Sequence, residues 1–438
     1  MKYIYIETYG CSANQNNSEI LAGLLRSGGY QITNNIEISE IVIINSCIVK
    51  GKTENKIKRK IQDLIKDFPS KLLIITGCMP ETDSKEIQKI ASNSIQLGTH
   101  HFKDIINLIK DHTNNQLTSQ KQIDYLSEQN EEKIFLPKIP KNKLISITQI
   151  SEGCLGDCTY CKTKLAKGKL FSYPSEKIIK SIESDLQNGA KEVWLTSQDC
   201  AAYGLDKNKT SQLPNLLHQI LSLKHNFKLR LGMSNPNHIY PILNELIEIY
   251  KNKKIYKFLH IPIQSASNKI LTQMNRKYNI YQAEEIINKF KQEFSDITMA
   301  TDIITGYPTE SEQDHNQNID LINKYKPDVF NLSKFSSHKG TEASKLKPLS
   351  IGIINKRASE LMKLHRDGAI ENKNKFLGKN TKVFVNSKSE MPGFLEARDN
   401  NYNIVFVKGG LELFGKNIEV KINKVGVHHM FGEIIPKL

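Results

Sequence analysis

Three cysteines within eight residues are the densest chemical signal in this 438-residue chain. They stand in Glu152-Gly153-Cys154-Leu155-Gly156-Asp157-Cys158-Thr159-Tyr160-Cys161, a C-x3-C-x2-C pattern just after an apolar, strand-like run. Thiolates so spaced can each take one corner of an iron–sulfur cubane, leaving the fourth iron open to a small chelating molecule. Zinc is the competing metal. A structural zinc site closes with four ligands, usually from paired C-x2-C units, and here there is one such unit with no histidine close in sequence. Tyr160 is an aromatic able to lie against an adenine or to fill space beside the site.

The remaining cysteines are Cys11, Cys47, Cys78 and Cys200. The first three each follow a short apolar run, in Tyr9-Gly10-Cys11, Asn45-Ser46-Cys47 and Thr76-Gly77-Cys78. Seven cysteines, an odd number, with no export signal ahead of the strand-like Met1–Thr8, point away from disulfides and toward metal or catalytic use. A cytoplasmic setting is expected, and no apolar run has the length of a membrane span.

What must position these thiols is a series of strands and helices in alternation. Over residues 1–112 the pattern predicts strands at Lys2–Thr8, Ile41–Asn45 and Leu72–Thr76, with helices at Ser18–Arg26, Lys52–Lys66 and Ser84–Ile90. That order implies a parallel sheet, whose carboxyl edge would gather Cys11, Cys47 and Cys78. Residues 113–143 are polar, carry Pro137 and Pro140, and read as a linker. From 144 to 372 six more strands are predicted, at Leu144–Ile150, Glu192–Thr196, Lys228–Gly232, Phe258–Ile263, Ile297–Ile304 and Val329–Lys334, with helices between them such as Ser175–Leu186 and Tyr281–Phe290. This is an α/β chain with a partial or complete βα barrel, whose chemistry belongs at the strand C-termini. Gln198, Asp199, Ser234, Asn235, Gln264, Ser265 and Asp302 fall there, as cofactor-binding or loop-bracing groups, and Gly306 and Glu310 follow the fifth strand. Residues 373–438, with short alternations at Lys382–Val385, Ile404–Val407 and Ile418–Ile422, predict a small antiparallel β-barrel.

Taken together, these fragments carry a resemblance. C-x3-C-x-aromatic-C after the first barrel strand is similar to the radical S-adenosylmethionine superfamily. The three upstream cysteines, Trp194-Leu-Thr-Ser-Gln198-Asp199, His260-Ile-Pro-Ile-Gln264-Ser265 and Thr301-Asp302-Ile-Ile-Thr-Gly306-Tyr-Pro-Thr-Glu310 narrow it to the methylthiotransferases. Arg230-Leu-Gly-Met-Ser-Asn235-Pro and Ser336-Ser-His-Lys-Gly340-Thr-Glu-Ala resemble the archaeal and eukaryotic branch, which acts on N6-threonylcarbamoyladenosine beside the anticodon of tRNA. The resemblance covers nearly the whole chain. It implies an N-terminal methylthiotransferase domain, a radical-SAM barrel and a C-terminal TRAM domain that binds RNA. It also implies two 4Fe–4S clusters, one on Cys154, Cys158 and Cys161, and an auxiliary one on Cys11, Cys47 and Cys78 that carries the sulfur to be delivered. S-adenosyl-L-methionine would act twice, as methyl donor and as radical source, with Tyr160, Gln198, Asp199, Ser234, Asn235, Gln264 and Asp302 around it. Both clusters would have to face one cavity. A low-potential electron donor and a sulfur source are implied partners. Cys200 departs from the family pattern, as a tolerated small side chain, a further ligand or a redox-sensitive thiol.

A formal net charge of +15 fits a polyanionic partner, here the tRNA anticodon stem-loop. Lys162, Lys164, Lys167 and Lys169, with no acid among residues 162–169, are the expected RNA contacts, with a second basic run at Lys50, Lys52, Lys56, Lys58, Arg59, Lys60 and Lys66. Three alternatives stay open: methylthiolation of isopentenyladenosine in tRNA, methylthiolation of a ribosomal-protein aspartate, and a non-catalytic Fe–S redox sensor that binds RNA. An excess of lysine over acid in the C-terminal region favours RNA over a basic protein.

Overall fold

The computed structural model describes residues 2–48, 51–127 and 129–436, with Lys52 by its backbone alone; Lys50 of the second basic run lies outside the described residues. Five parallel strands, β1 (Tyr3–Thr8), β2 (Gln31–Thr33), β3 (Ile41–Ser46), β4 (Leu72–Gly77) and β5 (Ile95–Gly98), form an N-terminal sheet in the order β2-β1-β3-β4-β5. The central strand β3 is buried at every residue, as an Ile/Val run with helices on both faces must be. Helices α1 (Ser12–Ser27), α2 (Gly51–Asp67) and α3 (Cys78–Ile90) make the crossovers.

Helix α1 starts directly after Cys11, six residues ahead of the predicted start. Asn14, Asn16 and Asn17 hide that first turn from an apolar pattern, yet all three are buried. Their amides are spent on tertiary contacts: Asn14 donates to Ser46 O at 2.8 Å, Asn16 to Ile147 O at 2.8 Å, and Asn17 accepts from Gln149 Nε2 at 2.7 Å.

Residues 113–143 are not a free linker. After a helix Ser119–Asp124 the strand of chain lies back against the body, with Ile139 N bonded to Glu19 O at 2.8 Å and Lys133 buried against Glu152 at 2.5 Å.

The central domain is an open barrel of six parallel strands, β6 (Ile145–Gln149), then, past the two-residue strands β7 (Ser151–Glu152) and β8 (Phe171–Ser172), β9 (Glu192–Thr196), β10 (Lys228–Arg230), β11 (Phe258–Gln264), β12 (Thr298–Thr305) and β13 (Val329–Lys334). Two three-stranded sheets, β10-β9-β6 and β11-β12-β13, meet through a bridge between Leu229 and Ile255. All six predicted strands are present. The largest apolar cluster fills this barrel and the helices around it.

The C-terminal barrel has five strands, β14 (Asn380–Lys388), β15 (Phe394–Arg398), β16 (Ile404–Lys408), β17 (Asn417–Val425) and β18 (His429–Ile434), closed in the order β14-β15-β16-β18-β17. The pattern had predicted a purely antiparallel sheet, but β16 and β18 pair parallel because β17 closes the ring between them in sequence. This barrel sits under the N-terminal ends of the central strands. Asn386 donates to Glu192 at 2.9 Å, Lys257 N to Asn400 O at 2.9 Å, and the Tyr402 ring lies 5.0 Å from both Tyr256 and Phe258 and 5.9 Å from Trp194. No helix of the described residues is long and apolar enough to cross a membrane.

Candidate active site

Both sets of thiols stand at carboxyl edges of parallel strands, where an open α/β sheet places its ligands. In the N-terminal sheet, register sets Thr8 beside Asn45, Asn45 beside Thr76, and Ser46 beside Gly77, so the loops that follow begin from one line. Cys47 and Cys78 are buried and Cys11 is exposed. Gly10 (φ +102°) and Gly77 (φ +88°) admit these turns; a Cβ on Gly10 would lie 2.7 Å from the Cys47 sulfur, so the cradle exists only for glycine. Polar braces hold the loops: Asn45 donates to Asn14 O and Ser18 Oγ at 2.8 Å each, and Ser46 Oγ donates to Thr76 O at 2.5 Å while accepting from Met79 N at 3.0 Å. These braces carry no sequence periodicity and were missed.

In the barrel domain the loop after β7 wraps Cys154, Cys158 and Cys161. Gly156 N donates to Cys154 Sγ at 3.3 Å, and a Cβ on Gly156 would lie 3.5 and 3.6 Å from the Cys154 and Cys158 sulfurs, which brackets the pair about one point. Lys164 folds back to donate to Cys154 O at 2.8 Å and Gly156 O at 3.2 Å. Arg276, which sequence reasoning missed, donates from Nη1 to Cys158 Sγ at 3.4 Å and from Nη2 to Pro262 O at 3.0 Å and to Asn235 Oδ1.

Burial pushes the Cys78 thiol up to about 12 and the Cys154 thiol up to about 11, in each case aided by the neighbouring cysteines of its trio. Three thiolates held close together repel one another unless a cation lies between them. Each trio is therefore a donor set suited to a positively charged metal core with three thiolate corners, and among the described residues neither set includes a fourth cysteine.

The other expected groups divide. Gln198 Oε1 and Ser234 Oγ are buried with no hydrogen-bond partner among the described residues, just past the ends of β9 and β10, as polar atoms reserved for a small ligand would be. Asp199 is buried and fully engaged, accepting from Ala201 N and Asn235 N and bonded to His238 Nδ1 at 2.6 Å. Asn235 holds Arg276. Gln264 ends β11 at φ +73°, beside a register shift, and Asp302 is bonded to His260 Nε2 at 2.6 Å. Ser265 accepts from Ser267 N. Glu310 accepts from Gly306 N at 2.8 Å and from Arg357 at 3.0 Å, so it shapes the turn out of β12. Tyr160 packs with Ile270, Met274, Tyr307 and Ala343 on one side of the mouth. Cys200 is wholly buried, its sulfur 3.6 Å from Ser197 Oγ: it fills space.

Two of the four lysines expected to face RNA do not. Lys162 is 5% exposed and paired with Asp83 at 2.5 Å, and Lys167 is 2% exposed and donates to Thr99 Oγ1 at 2.6 Å. The residues after Cys161 form a short helix, Thr163–Lys167, packed on α3, and that packing turns these two ammonium groups inward. Lys164 is spent on the cysteine loop, and Lys169 alone of the four is exposed. In the second run Lys58 pairs with Glu54 and Glu86, and Lys56, Arg59 and Lys66 are exposed.

The same packing sets the helix that follows one trio against the helix that follows the other. Helix α3 begins at Cys78, and helix Thr163–Lys167 begins two residues past Cys161. The loop after β13 touches both domains here, with Ala343 N on Thr159 O at 2.8 Å and His338 Nδ1 3.8 Å from Glu54.

A barrel of this kind with an open-cornered cysteine trio at its mouth defines a radical-SAM enzyme, and residues 148–322 match the Radical SAM superfamily while residues 3–98 match Uncharacterized protein family UPF0004. The chain is 36% identical over 437 residues to a protein of Pyrococcus horikoshii named probable threonylcarbamoyladenosine tRNA methylthiotransferase, covering 99% of this chain and all of that one. It is 34% identical over 435 residues to the human threonylcarbamoyladenosine tRNA methylthiotransferase, covering 98% of this chain and 73% of that one. It belongs to the threonylcarbamoyladenosine tRNA methylthiotransferase family and is a radical-SAM transferase. Among solved structures, the radical S-adenosylmethionine methyltransferase TsrM of Kitasatospora setae, solved with cobalamin and a [4Fe-4S] cluster bound, shares the fold at a TM-score of 0.57 and 11% identity, over 90% of this chain and 81% of that one.

Proposed function

We propose that this enzyme converts N6-threonylcarbamoyladenosine beside the anticodon of a tRNA to its 2-methylthio derivative. The observation that supports this reading most is the packing of the helix that begins at Cys78 against the helix that begins two residues past Cys161, in a chain similar over its full length to enzymes named for that reaction. The alternatives, isopentenyladenosine, a ribosomal-protein aspartate and a non-catalytic sensor, have no comparable support.

The C–H bond at adenine carbon 2 is neither acidic nor electrophilic enough for acid–base chemistry, so a carbon radical is the suitable tool. A 4Fe–4S cluster on Cys154, Cys158 and Cys161 supplies, when bound, the electron that splits S-adenosylmethionine to methionine and such a radical. A second cluster on Cys11, Cys47 and Cys78 is the proposed seat of the sulfur. The protein's part is placement. Lys164 and Arg276 hold the cysteine loop, Gln198 Oε1 and Ser234 Oγ offer free acceptors to the cofactor, and the N-terminal domain shields the mouth from water.

RNA affinity is assigned to exposed lysines, Lys169 near the mouth and Lys408, Lys421 and Lys424 on the C-terminal barrel. Phe394, Phe406, His429 and Phe431 lie in mutual ring contact across β15, β16 and β18, 4.9 to 5.7 Å apart, and with those lysines they form a face suited to bases and phosphates.

The test is anaerobic reconstitution with iron, sulfide, a low-potential reductant, S-adenosylmethionine and an anticodon stem-loop carrying the threonylcarbamoyl group. Mass spectrometry of the nucleosides should show the methylthio product, and Cys158→Ala should abolish it. Cleavage of S-adenosylmethionine with an unmodified nucleoside would overturn the substrate assignment.

A further inference from the structure

We propose that Lys167 is a positioning residue for the N-terminal trio: an ammonium sent across the domain boundary to balance the negative charge of sulfur gathered at Cys11, Cys47 and Cys78. The proposal rests on the reading of that trio as the seat of a second cluster.

The placement follows from register. Gly98 at the end of β5 pairs with Gly77 at the end of β4, so Thr99 and Cys78 leave neighbouring strands side by side. Lys167 Nζ is bonded to Thr99 Oγ1 at 2.6 Å and therefore stands beside the third thiol. Among the described residues its hydrogen-bond partner is this hydroxyl, and no carboxylate oxygen lies within 4.0 Å of the nitrogen. Lys133, by contrast, is buried equally and touches Glu152 at 2.5 Å.

A buried ammonium without a contacting anion is costly, and a chain that keeps one has a counter-charge for it. The acidic groups around it are, largest in effect first, Glu152, Cys78, Cys11 and Glu81. Three thiolates plus an anionic sulfur ligand would carry more negative charge than a cubane core offsets. The ammonium makes up part of that difference and stabilises the reduced and the sulfur-loaded forms alike.

The test uses the full chain with Cys154, Cys158 and Cys161 all changed to Ala, so that the N-terminal trio alone binds iron. Lys167→Met and Lys167→Arg are made in this background. The midpoint potential is read by an EPR-monitored redox titration, and affinity for methanethiolate by the spectral change of the oxidised cluster. Lys167→Met should shift the potential negative and weaken methanethiolate binding by about 10-fold or more, whereas Lys167→Arg should stay within about 3-fold of the parent. If the parent triple variant binds no cluster, the second-cluster reading fails. If it binds one, and Lys167→Met leaves both potential and affinity unchanged, the Lys167 proposal is overturned and the cluster reading stands. Thr99→Val keeps the charge but frees it from its anchor; it should also weaken methanethiolate binding, and should Lys167→Met not fold, an unchanged Thr99→Val overturns the proposal.

Discussion

Arg276 reaches the radical trio from 118 residues further along the chain. Its planar fork serves three acceptors at once, a sulfur, an amide oxygen and a carbonyl, and on the proposed reading of Cys158 as a cluster ligand such a donor would tune the cluster as outer-shell partners tune any metal site. Arg276→Gln should lower the rate of reductive S-adenosylmethionine cleavage by about 10- to 100-fold without loss of the fold. Arg276→Lys should recover only part of it, because an ammonium cannot fork. Single-turnover assays under anaerobic conditions, with iron content as a control, read both; equal rates in all three proteins would show that the fork is structural. The cysteines were legible in sequence because their spacing states their geometry. Arg276 was not, since nothing local to Met274-Asn275-Arg276 announces a partner so distant. Lys162 and Lys167 misled for the opposite reason: a run of lysines looks like a solvated face until a one-turn helix points alternate members inward.

At the scale of elements, the strap that follows the N-terminal domain was the chief surprise. Its polar composition read as a linker, yet it carries Lys133 to Glu152, the residue two before Cys154, and so locks one domain's edge to the other's cysteine loop. Removing one partner of a buried pair leaves the other uncompensated. Lys133→Met should therefore cost about 3–5 kcal/mol in denaturant unfolding of the metal-free protein, and a loss below about 1 kcal/mol would mean that the pair does not clamp the domains. Glu19, under the same strap, makes a prediction with pH. Burial raises its pKa to about 7, against the hydrogen bond from Lys141 N and the charge of Lys138. The folded state thus keeps a proton that the unfolded chain gives up near 4.5, and stability present at acid pH is lost as pH rises through 7. Glu19→Gln, which cannot ionise, should be more stable than the parent by about 1–3 kcal/mol at pH 8 and no more stable below pH 4.5, read by urea unfolding at the two values. The strands were legible because a twice-covered parallel strand is a plain apolar run. The start of α1 was not, because its asparagines serve tertiary contacts that leave no apolar period.

At the scale of the whole molecule, sequence order announced three domains but not how they dock. The docking depends on single residues such as Asn386, Asn400 and Tyr402, whose partners lie more than a hundred residues away. If RNA lies on the C-terminal barrel, Lys408→Ala with Lys424→Ala should weaken tRNA binding and flatten the slope of log affinity against log salt by about 1.4–1.8, at about 0.7–0.9 per lost phosphate contact. Filter binding across a salt series reads this, and an unchanged slope would move the RNA elsewhere.

The Tyr402 plug beneath the central strands has a kinetic consequence. If that ring stops the floor of the barrel, a chamber at its mouth is a cul-de-sac: whatever comes in leaves by the same doorway. Spent methionine and the nucleoside fragment must back out before the next cofactor arrives, and a tRNA seated over that doorway bars the exchange. Arrival is then compulsorily ordered, and labelled S-adenosylmethionine bound before the RNA should be trapped during a chase, while RNA bound first should shut it out.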